Sequence, residues 1–492
     1  MNPVNKTNQM PVEQETPVPQ KSITPPGTAA PQPFPPPPLQ PATITPPGKK
    51  RFSKKLLFVV LAFMVLVGLA FVVIRFILPG LGVVKTEIAW WGLWEDQAIA
   101  QSLIEEYQAA NPGVTVIYQK NDKEDYRERL ASSLAKGEGP DIFRIHSSWV
   151  PMFAAELAPA PSNVLSAEDF GTIFYPVAVD ELVSAQGPVA IPLEYDGLAM
   201  FINEEIFTTY GAIIPTDWND LREVARSLTI KDERGVITQS GAALGTTSNV
   251  DHWPEIVALL MLQNGANPNS PNDSAGRGAQ ALSFYKQFSS ADGVWDDTQP
   301  SSTIAFAAGR VGIYFGPSWR ALEIIERNPN LKFKVLSVPQ VPKVESQSRD
   351  ITYASYWVEG VWAKSPLKDE AWRFLKFLSE RESLIKLYEN ASRVRDFGEP
   401  YPRADMRELL LTDPIVGGFL KLAPSARSGY LHSRTFDGVS GINTSLAQYY
   451  EDAIGAISPG SDAGRQVGTL ATGVQQVLAR YGLAAPVATP SQ

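Results

Sequence analysis

The chain has no cysteine. That excludes disulfides, thiolate metal sites, cysteine nucleophiles and lipid attachment through a cysteine. Histidine is almost as scarce. His146, His252 and His432 are the only three in 492 residues, too few and too scattered for a histidine-rich metal site. No G-x-S-x-G, H-E-x-x-H or Walker phosphate loop occurs, so no familiar catalytic motif is present and nothing here binds and hydrolyses ATP. The expectation is a protein that is not an enzyme and needs no cofactor or metal. Positive charge is short as well. Residues 1–85 carry nine Lys or Arg against two Glu, which leaves 34 basic and 50 acidic residues for the rest. So acidic a body argues against nucleic acid as a partner, because phosphate contacts need a basic face.

What the chain does have begins with a hydrophobic run. Residues 56–74, LLFVVLAFMVLVGLAFVVI, are uncharged and span roughly 28 Å as a helix, about one hydrocarbon core. Lys49, Lys50, Arg51, Lys54 and Lys55 precede the run, whereas Lys85 alone follows Arg75 before the next acidic residue. The positive-inside rule then predicts a single-pass anchor over 51–79, with residues 1–50 in the cytoplasm and the main body outside. The length of the run and the lack of a clear A-x-A site after it favour a retained anchor over a cleaved signal peptide. Residues 1–50 hold 15 of the 41 prolines and repeat ITPPG at 23–27 and 44–48. Proline removes donors and favours extended conformations, so a disordered tail is expected there, as at 483–492.

Beyond residue 85 strands alternate with amphipathic helices. Ile88 to Trp90 starts a strand; Ile99, Leu103, Tyr107 and Ala110 lie at helical spacing, and Asn111-Pro112-Gly113 ends that helix. VTVIYQ (114–119) and DIFRI (141–145) read as strands around a helical EDYRERLASSLAKG. Asn203 and Thr216 are expected N-caps, Ser365-Pro366 a helix start, and Ala371, Phe374, Leu375 and Leu378 a core-facing stripe. Such alternation implies an α/β fold, whose ligands sit beyond the carboxyl ends of strands.

Five phrases stand in a telling order: IAWWGLWEDQAIAQSLIEEYQAANPGVTV, LASSLAKGEGPDIFRI, IPLEYDGLAMFINEEIF, IPTDWNDLREVARSLT and TIAFAAGRVGIYFGPSW. Together they make residues 85–482 resemble the family 1 extracellular solute-binding proteins, the maltose-type sugar binders of ATP-binding-cassette importers. The resemblance implies a two-lobed α/β fold of the periplasmic-binding-protein kind. One lobe would comprise about 85–195 plus 341–395, and the other about 197–338 plus 400–482. Hinges would fall near Glu194 to Gly197, Val338 to Val341 and Arg395 to Pro400. It also implies a carbohydrate ligand, permease and ATPase subunits as partners, a monomer, and a place on the outer face of a prokaryotic cell membrane. Relatives are often tethered through a lipid-modified cysteine; here the hydrophobic run would replace it.

A sugar offers an apolar ring face and a rim of hydroxyls, so its site needs flat aromatics and fixed polar groups. On that logic the expected contacts are Trp91, Trp94 and Glu95 after the first strand, and Trp149 in HSSWV. Glu194 and Asp196 would stand at the first hinge, followed by Asp251 and Trp253 in SNVDHWPE. Trp319 in GPSW, with Tyr353, Tyr356 and Trp357 in TYASYWVEG, would complete the set. Each has a plainer reading. One of Trp90 and Trp91 must face the core, since strand neighbours point opposite ways. Glu95 and Asp96 suit a helix start, and Asp196-Gly197 suits a turn. Trp218, Trp362 and Trp372 are assigned to the core. His252 is read as a surface or satisfied histidine. The loop 266–278 is rich in oxygen ligands but lacks EF-hand order. No basic cluster is evident near these residues, which disfavours a phosphorylated ligand. An anchored sensor or wall-glycan binder, and a glycan-active enzyme using two carboxylates, are the other classes open at this point.

Overall fold

A computed structural model describes residues 54–72, 86–342, 350–458 and 460–484. The expected proline-rich tail, residues 51–53 and 73–79 of the expected anchor and residues 485–492 lie outside these ranges. Contacts divide the chain into two units, 1–80 and 81–492.

In the first unit the described element is the helix Lys54–Val72. Its Phe58, Phe63, Met64 and Leu66 are exposed. Two lysines open this 19-residue helix. The apolar stretch that follows is about 26 Å long, against roughly 30 Å for a hydrocarbon core. Among the described residues no helix is by itself long and apolar enough to cross a membrane. The expected span ends at residues 73 and 74, outside them.

The second unit is mixed α/β, built on two five-stranded sheets. The first has the spatial order Val114–Lys120, Thr86–Gly92, Ile142–His146, Trp357–Val361, Ala190–Pro192. Trp357–Val361 runs antiparallel to both neighbours, and the first three strands are parallel. The second sheet has the order Phe333–Leu336, Ala199–Asn203, Val311–Gly316, Ile237–Ala242, Ile230–Lys231. There Val311–Gly316 is parallel to Ile237–Ala242 and antiparallel to Ala199–Asn203.

Local chemistry accounts for these elements. Along Thr86–Gly92 burial alternates, so Ile88 and Trp90 point inward. Asp96 caps the helix Gln97–Ala110 by accepting from the Ala98 amide, and Ile99, Leu103 and Tyr107 form its buried stripe. Asn203 caps the helix Glu204–Tyr210 as expected, accepting from the amides of Glu205 and Ile206. One cap differs. Asp217, not Thr216, caps Trp218–Leu228, with Oδ1 2.8 and 2.9 Å from the amides of Asn219 and Asp220. The Thr216 carbonyl instead accepts from the Gln340 amide. The helix expected to open at Ser365-Pro366 starts at Lys368; Ser365 Oγ accepts from the Leu367 amide and shapes the turn before it.

The chain passes from one sheet to the other through residues 193–198. The Tyr195 amide donates to the Pro400 carbonyl (2.8 Å), Leu198 to Tyr353 (2.9 Å), and Ser355 to Asp196 (3.0 Å). Gly197 forms a bridge with Ala354. A β-carbon at position 197 would lie 2.4 Å from the Tyr353 carbonyl oxygen, so the close approach requires glycine there. Val338 lies just before Gln340, whose carbonyl accepts from the Trp218 amide at the start of a helix packed on the second sheet.

One ion pair sits inside the first sheet. Arg144 Nε donates to Glu359 Oε1 at 2.7 Å, and Glu359 Oε2 accepts from Trp90 Nε1 at 3.0 Å. The other side of the guanidinium pairs with Glu95. Glu359 has no solvent exposure. Removing one partner of such a pair strands the other charge, which costs about 3–5 kcal/mol. Arg144→Met is therefore expected to lower stability by that amount in urea melts. Adding Glu359→Gln to it recovers most of the loss. A single variant within about 1 kcal/mol of the parent would show that the pair does not carry this load.

Candidate functional site

Between the two sheets lies a cavity of about 490 Å³, in the range of small-molecule sites. From the first sheet come Trp94, just past the strand Thr86–Gly92, and His146, the last residue of Ile142–His146. Trp357 opens the neighbouring antiparallel strand. From the second come Pro317, Trp319, Arg320 and Glu323, following the strand Val311–Gly316. The crossover supplies Glu194, Asp196, Gly197 and Leu198. His252 and Glu255 stand at the start of the helix Trp253–Gln263, and the loop Ser433, Arg434, Thr435, Phe436 closes one side. Arg395 and Glu399 lie beside the crossover.

The aromatic walls come from opposite sheets. Trp94 and Trp357 meet edge to face, with centroids 4.9 Å apart, and the Arg144 guanidinium lies 5.7 Å from the Trp94 ring. Trp319 is 39% exposed, an unusual state for a tryptophan amid so much packing. Its ring carries the Arg320 guanidinium at 4.3 Å and has His252 at its edge. These are two flat apolar surfaces with polar groups between them.

Those polar groups are buried carboxylates. Burial pushes Asp196 up to about 7, against the pull of amide and hydroxyl donors from Ser318 and the Gly197 amide. Burial likewise pushes Glu255 up to about 7, although its Oε1 accepts from the Ser433 amide and hydroxyl. Its Oε2 has no hydrogen-bond partner. Glu194 is raised well above the usual carboxylate range, first by burial and then by the Glu399 charge. Cations line the cavity too, contrary to the expectation of no basic cluster. Lys123, Arg320, Arg395 and Arg434 come from four distant stretches of sequence, so no run betrays them. Arg320 pairs with Glu323, Arg395 with Glu399 and Arg434 with Asp251, while Lys123 stands over the Phe436 ring.

Of the residues singled out from sequence, Trp94, Glu194, Asp196, Trp319 and Trp357 line this cavity. Asp196 is largely occupied: its carboxylate accepts from the Gly197 amide (2.7 Å), the Ser318 amide (3.0 Å) and the Ser318 hydroxyl (2.9 Å). Glu95 turns to Arg144 and lines a smaller adjoining void. Trp91, Trp149, Asp251, Trp253 and Tyr356 stand outside the cavity wall. Trp90 takes the core-facing position, and Trp91 packs partly buried on the flank of the sheet. The 3-10 helix Ser147–Phe153 turns Trp149 fully inward, against Trp357 and Phe153. Asp251 accepts from Ser301, Thr303 and Arg434. Burial alone would raise it, but the hydrogen bonds from Ser301 and Thr303 and the Arg320 charge hold it well below the usual range. Trp253 is buried at its helix start, and Tyr356, the residue before the strand Trp357–Val361, donates from its hydroxyl to Glu181 at 2.6 Å. Tyr353 is also core, its hydroxyl donating to the Leu431 carbonyl. Trp218, Trp362 and Trp372 are buried as assigned.

His252 is satisfied rather than superficial. Its Nδ1 shares a hydrogen with Ser433 Oγ and its Nε2 accepts from Arg320 Nε. Sequence reasoning missed Glu255, Arg320, Ser355 and the 433–436 loop. The loop's one local sign is backbone strain: Arg434 and Phe436 have φ of 58° and 56° without being glycine, a conformation that clusters at functional sites.

His146 and His432 meet ring to ring at 4.8 Å, and both are buried. Burial lowers His432 to about 4 and His146 well below its ordinary value. A histidine depressed in the folded state binds its proton sooner in the unfolded chain, so acid favours unfolding. For His432 the penalty is absent above about pH 6.5 and grows to roughly 3 kcal/mol by about pH 4. The stability difference between the parent and His432→Gln is expected to change by that amount over this window in denaturant melts. A difference that stays flat with pH would contradict a buried neutral His432.

Comparison with known proteins agrees with this architecture. Residues 91–383 match the family described as bacterial extracellular solute-binding protein. A maltotriose-binding protein of Pyrococcus abyssi is 22% identical over 298 residues, covering 58% of this chain and 61% of that protein. A binding protein of Brucella abortus is 22% identical over 334 residues, 65% of this chain and 77% of its own length. Among solved structures, the cyclic alpha-maltosyl-1,6-maltose binding protein of Arthrobacter globiformis aligns with a TM-score of 0.63 at 18% identity, over 80% of this chain and 100% of that one. The sugar-binding protein MalE of Xanthomonas citri aligns with a TM-score of 0.63 at 17% identity, over 80% and 98%. With its two-lobed α/β body and more than half its length matched, the chain belongs to the bacterial extracellular solute-binding protein family.

Proposed function

We propose that this protein is a membrane-anchored extracytoplasmic receptor that captures a sugar or oligosaccharide in the inter-sheet cleft and delivers it to the permease and ATPase of an importer. The observation that carries the reading is Trp319. It stands 39% exposed on the cleft wall opposite the Trp94–Trp357 pair, with buried carboxylates between. Flat apolar faces plus fixed polar groups are the chemistry a sugar ring selects. Relatives named as binders of maltotriose and of cyclic maltosyl-maltose support the ligand class. The lobes would comprise about 85–195 with 341–395 and about 197–338 with 400–482, closing on the ligand as one monomer.

The anchor is the apolar stretch from Leu56, of which the helix Lys54–Val72 is the described part. With the basic residues ahead of it, it places the first 50 residues in the cytoplasm. The full-length chain is accordingly expected to stay in carbonate-washed membranes, and release by the wash would remove the anchor.

Binding is tested by titrating the full-length protein with malto-oligosaccharides and other saccharides while following tryptophan fluorescence and the melting temperature. A saccharide should shift both. Trp319→Ala, at a partly exposed position, should fold normally and bind at least about tenfold more weakly, or about 1.4 kcal/mol. If no saccharide shifts either signal while amino acids or peptides do, the carbohydrate reading fails and the two-lobed binder remains.

A further inference from the structure

A second void of about 50 Å³ adjoins the cleft. Glu95, Glu194 and Glu399 converge on it, and one oxygen from each lies within 4.8 Å of the other two. Oxygens that ligate one calcium ion at about 2.3–2.6 Å stand at most about 5 Å apart, so the spacing suits a shared ion.

Two of the three carboxylates already have a cation, since Arg144 pairs with Glu95 and Arg395 with Glu399 at 2.6 Å. Glu194 differs. It is only 5% exposed, lines both the void and the cleft, and makes neither a hydrogen bond nor an ion pair among the described residues. A second oxygen, Glu95 Oε2, is also buried without a donor. Arg144 is further shared with the buried Glu359. Four carboxyl groups therefore share two guanidinium groups in a buried place, and Glu194 has neither guanidinium as an ion-pair partner. A buried carboxylate without a cation is costly, and a divalent cation would give Glu194 that partner.

We propose that Glu95, Glu194 and Glu399 form a binding site for one Ca²⁺ ion at the base of the cleft. The ligands are all oxygen, which selects a hard cation, and calcium tolerates the irregular geometry that three carboxylates from separate segments impose. The ion ties the crossover, through Glu194, to the end of the strand Thr86–Gly92, through Glu95. Glu399 anchors the third side beside Pro400, whose carbonyl already holds the Tyr195 amide. The site stands whichever solute the cleft takes.

The test is equilibrium dialysis of the EGTA-stripped full-length protein against ⁴⁵Ca²⁺ alone. One ion per chain is expected, with a dissociation constant in the range of about 10⁻⁴–10⁻³ M typical of extracellular modules. Glu194→Gln removes an ionisable ligand without removing any hydrogen bond, and should weaken binding at least tenfold with an unchanged near-ultraviolet circular dichroism spectrum. Glu399→Gln provides the same reading should the first variant misfold. No saturable binding up to about 10 mM would overturn the proposal. So would one ion held with unchanged affinity in both variants, which would put the site elsewhere. Saccharide binding is read separately by fluorescence, so failure here leaves the receptor reading intact.

Discussion

The cleft depends on what Asp196 holds. Its carboxylate accepts from the amide and hydroxyl of Ser318 and from the amide of Gly197, and it does so while buried. Ser318 immediately precedes the helix Trp319–Arg327, so this cluster binds the crossover to the turn that carries the exposed tryptophan. The crossover is meanwhile paired by its backbone with Tyr353, Ser355 and Pro400, next in sequence to Trp357 and Glu399. One short stretch thus sets the separation between the two aromatic walls. Gly197 permits it, because no side chain fits under the Tyr353 carbonyl.

Around that lock the cleft is built from charges that burial makes costly. Burial pushes Asp196 and Glu255 up to about 7 against the hydrogen bonds that pull them down, and burial together with the charge of Glu399 raises Glu194 well above the usual range. Most lining cations are already engaged within the protein, with Arg320, Arg395 and Arg434 each facing a carboxylate. What remains available to a ligand is mainly acceptors between aromatic faces. That balance favours a neutral, hydroxyl-rich solute over a phosphorylated one, for which unpaired cations would be wanted.

Much of the scaffold was legible before the structure because its signals are local. Alternation put one of Trp90 and Trp91 in the core, and Asn203 caps a helix because its side chain reaches amides two and three residues on. The order of phrases along the chain identified the fold. The site was legible where a residue stands at or near a strand end, as Trp94, Trp319 and Trp357 do, or in the crossover to which the resemblance pointed, as Glu194 and Asp196 do. Trp149 misled because a 3-10 turn follows its strand and rotates the ring inward, leaving His146 at the cavity. Glu255 and the 433–436 loop stayed hidden because their contact spans 178 residues of sequence, which no local pattern records.

The most direct measurement is hydrogen–deuterium exchange of the full-length protein with and without a bound saccharide. A ligand in this cleft protects peptides covering Asp196 to Leu198, Pro317 to Arg320, Ser355 to Trp357 and Ser433 to Phe436 together, although they are remote in sequence. Protection confined to other segments, or to only one of these four, would contradict the claim that they form a single binding site.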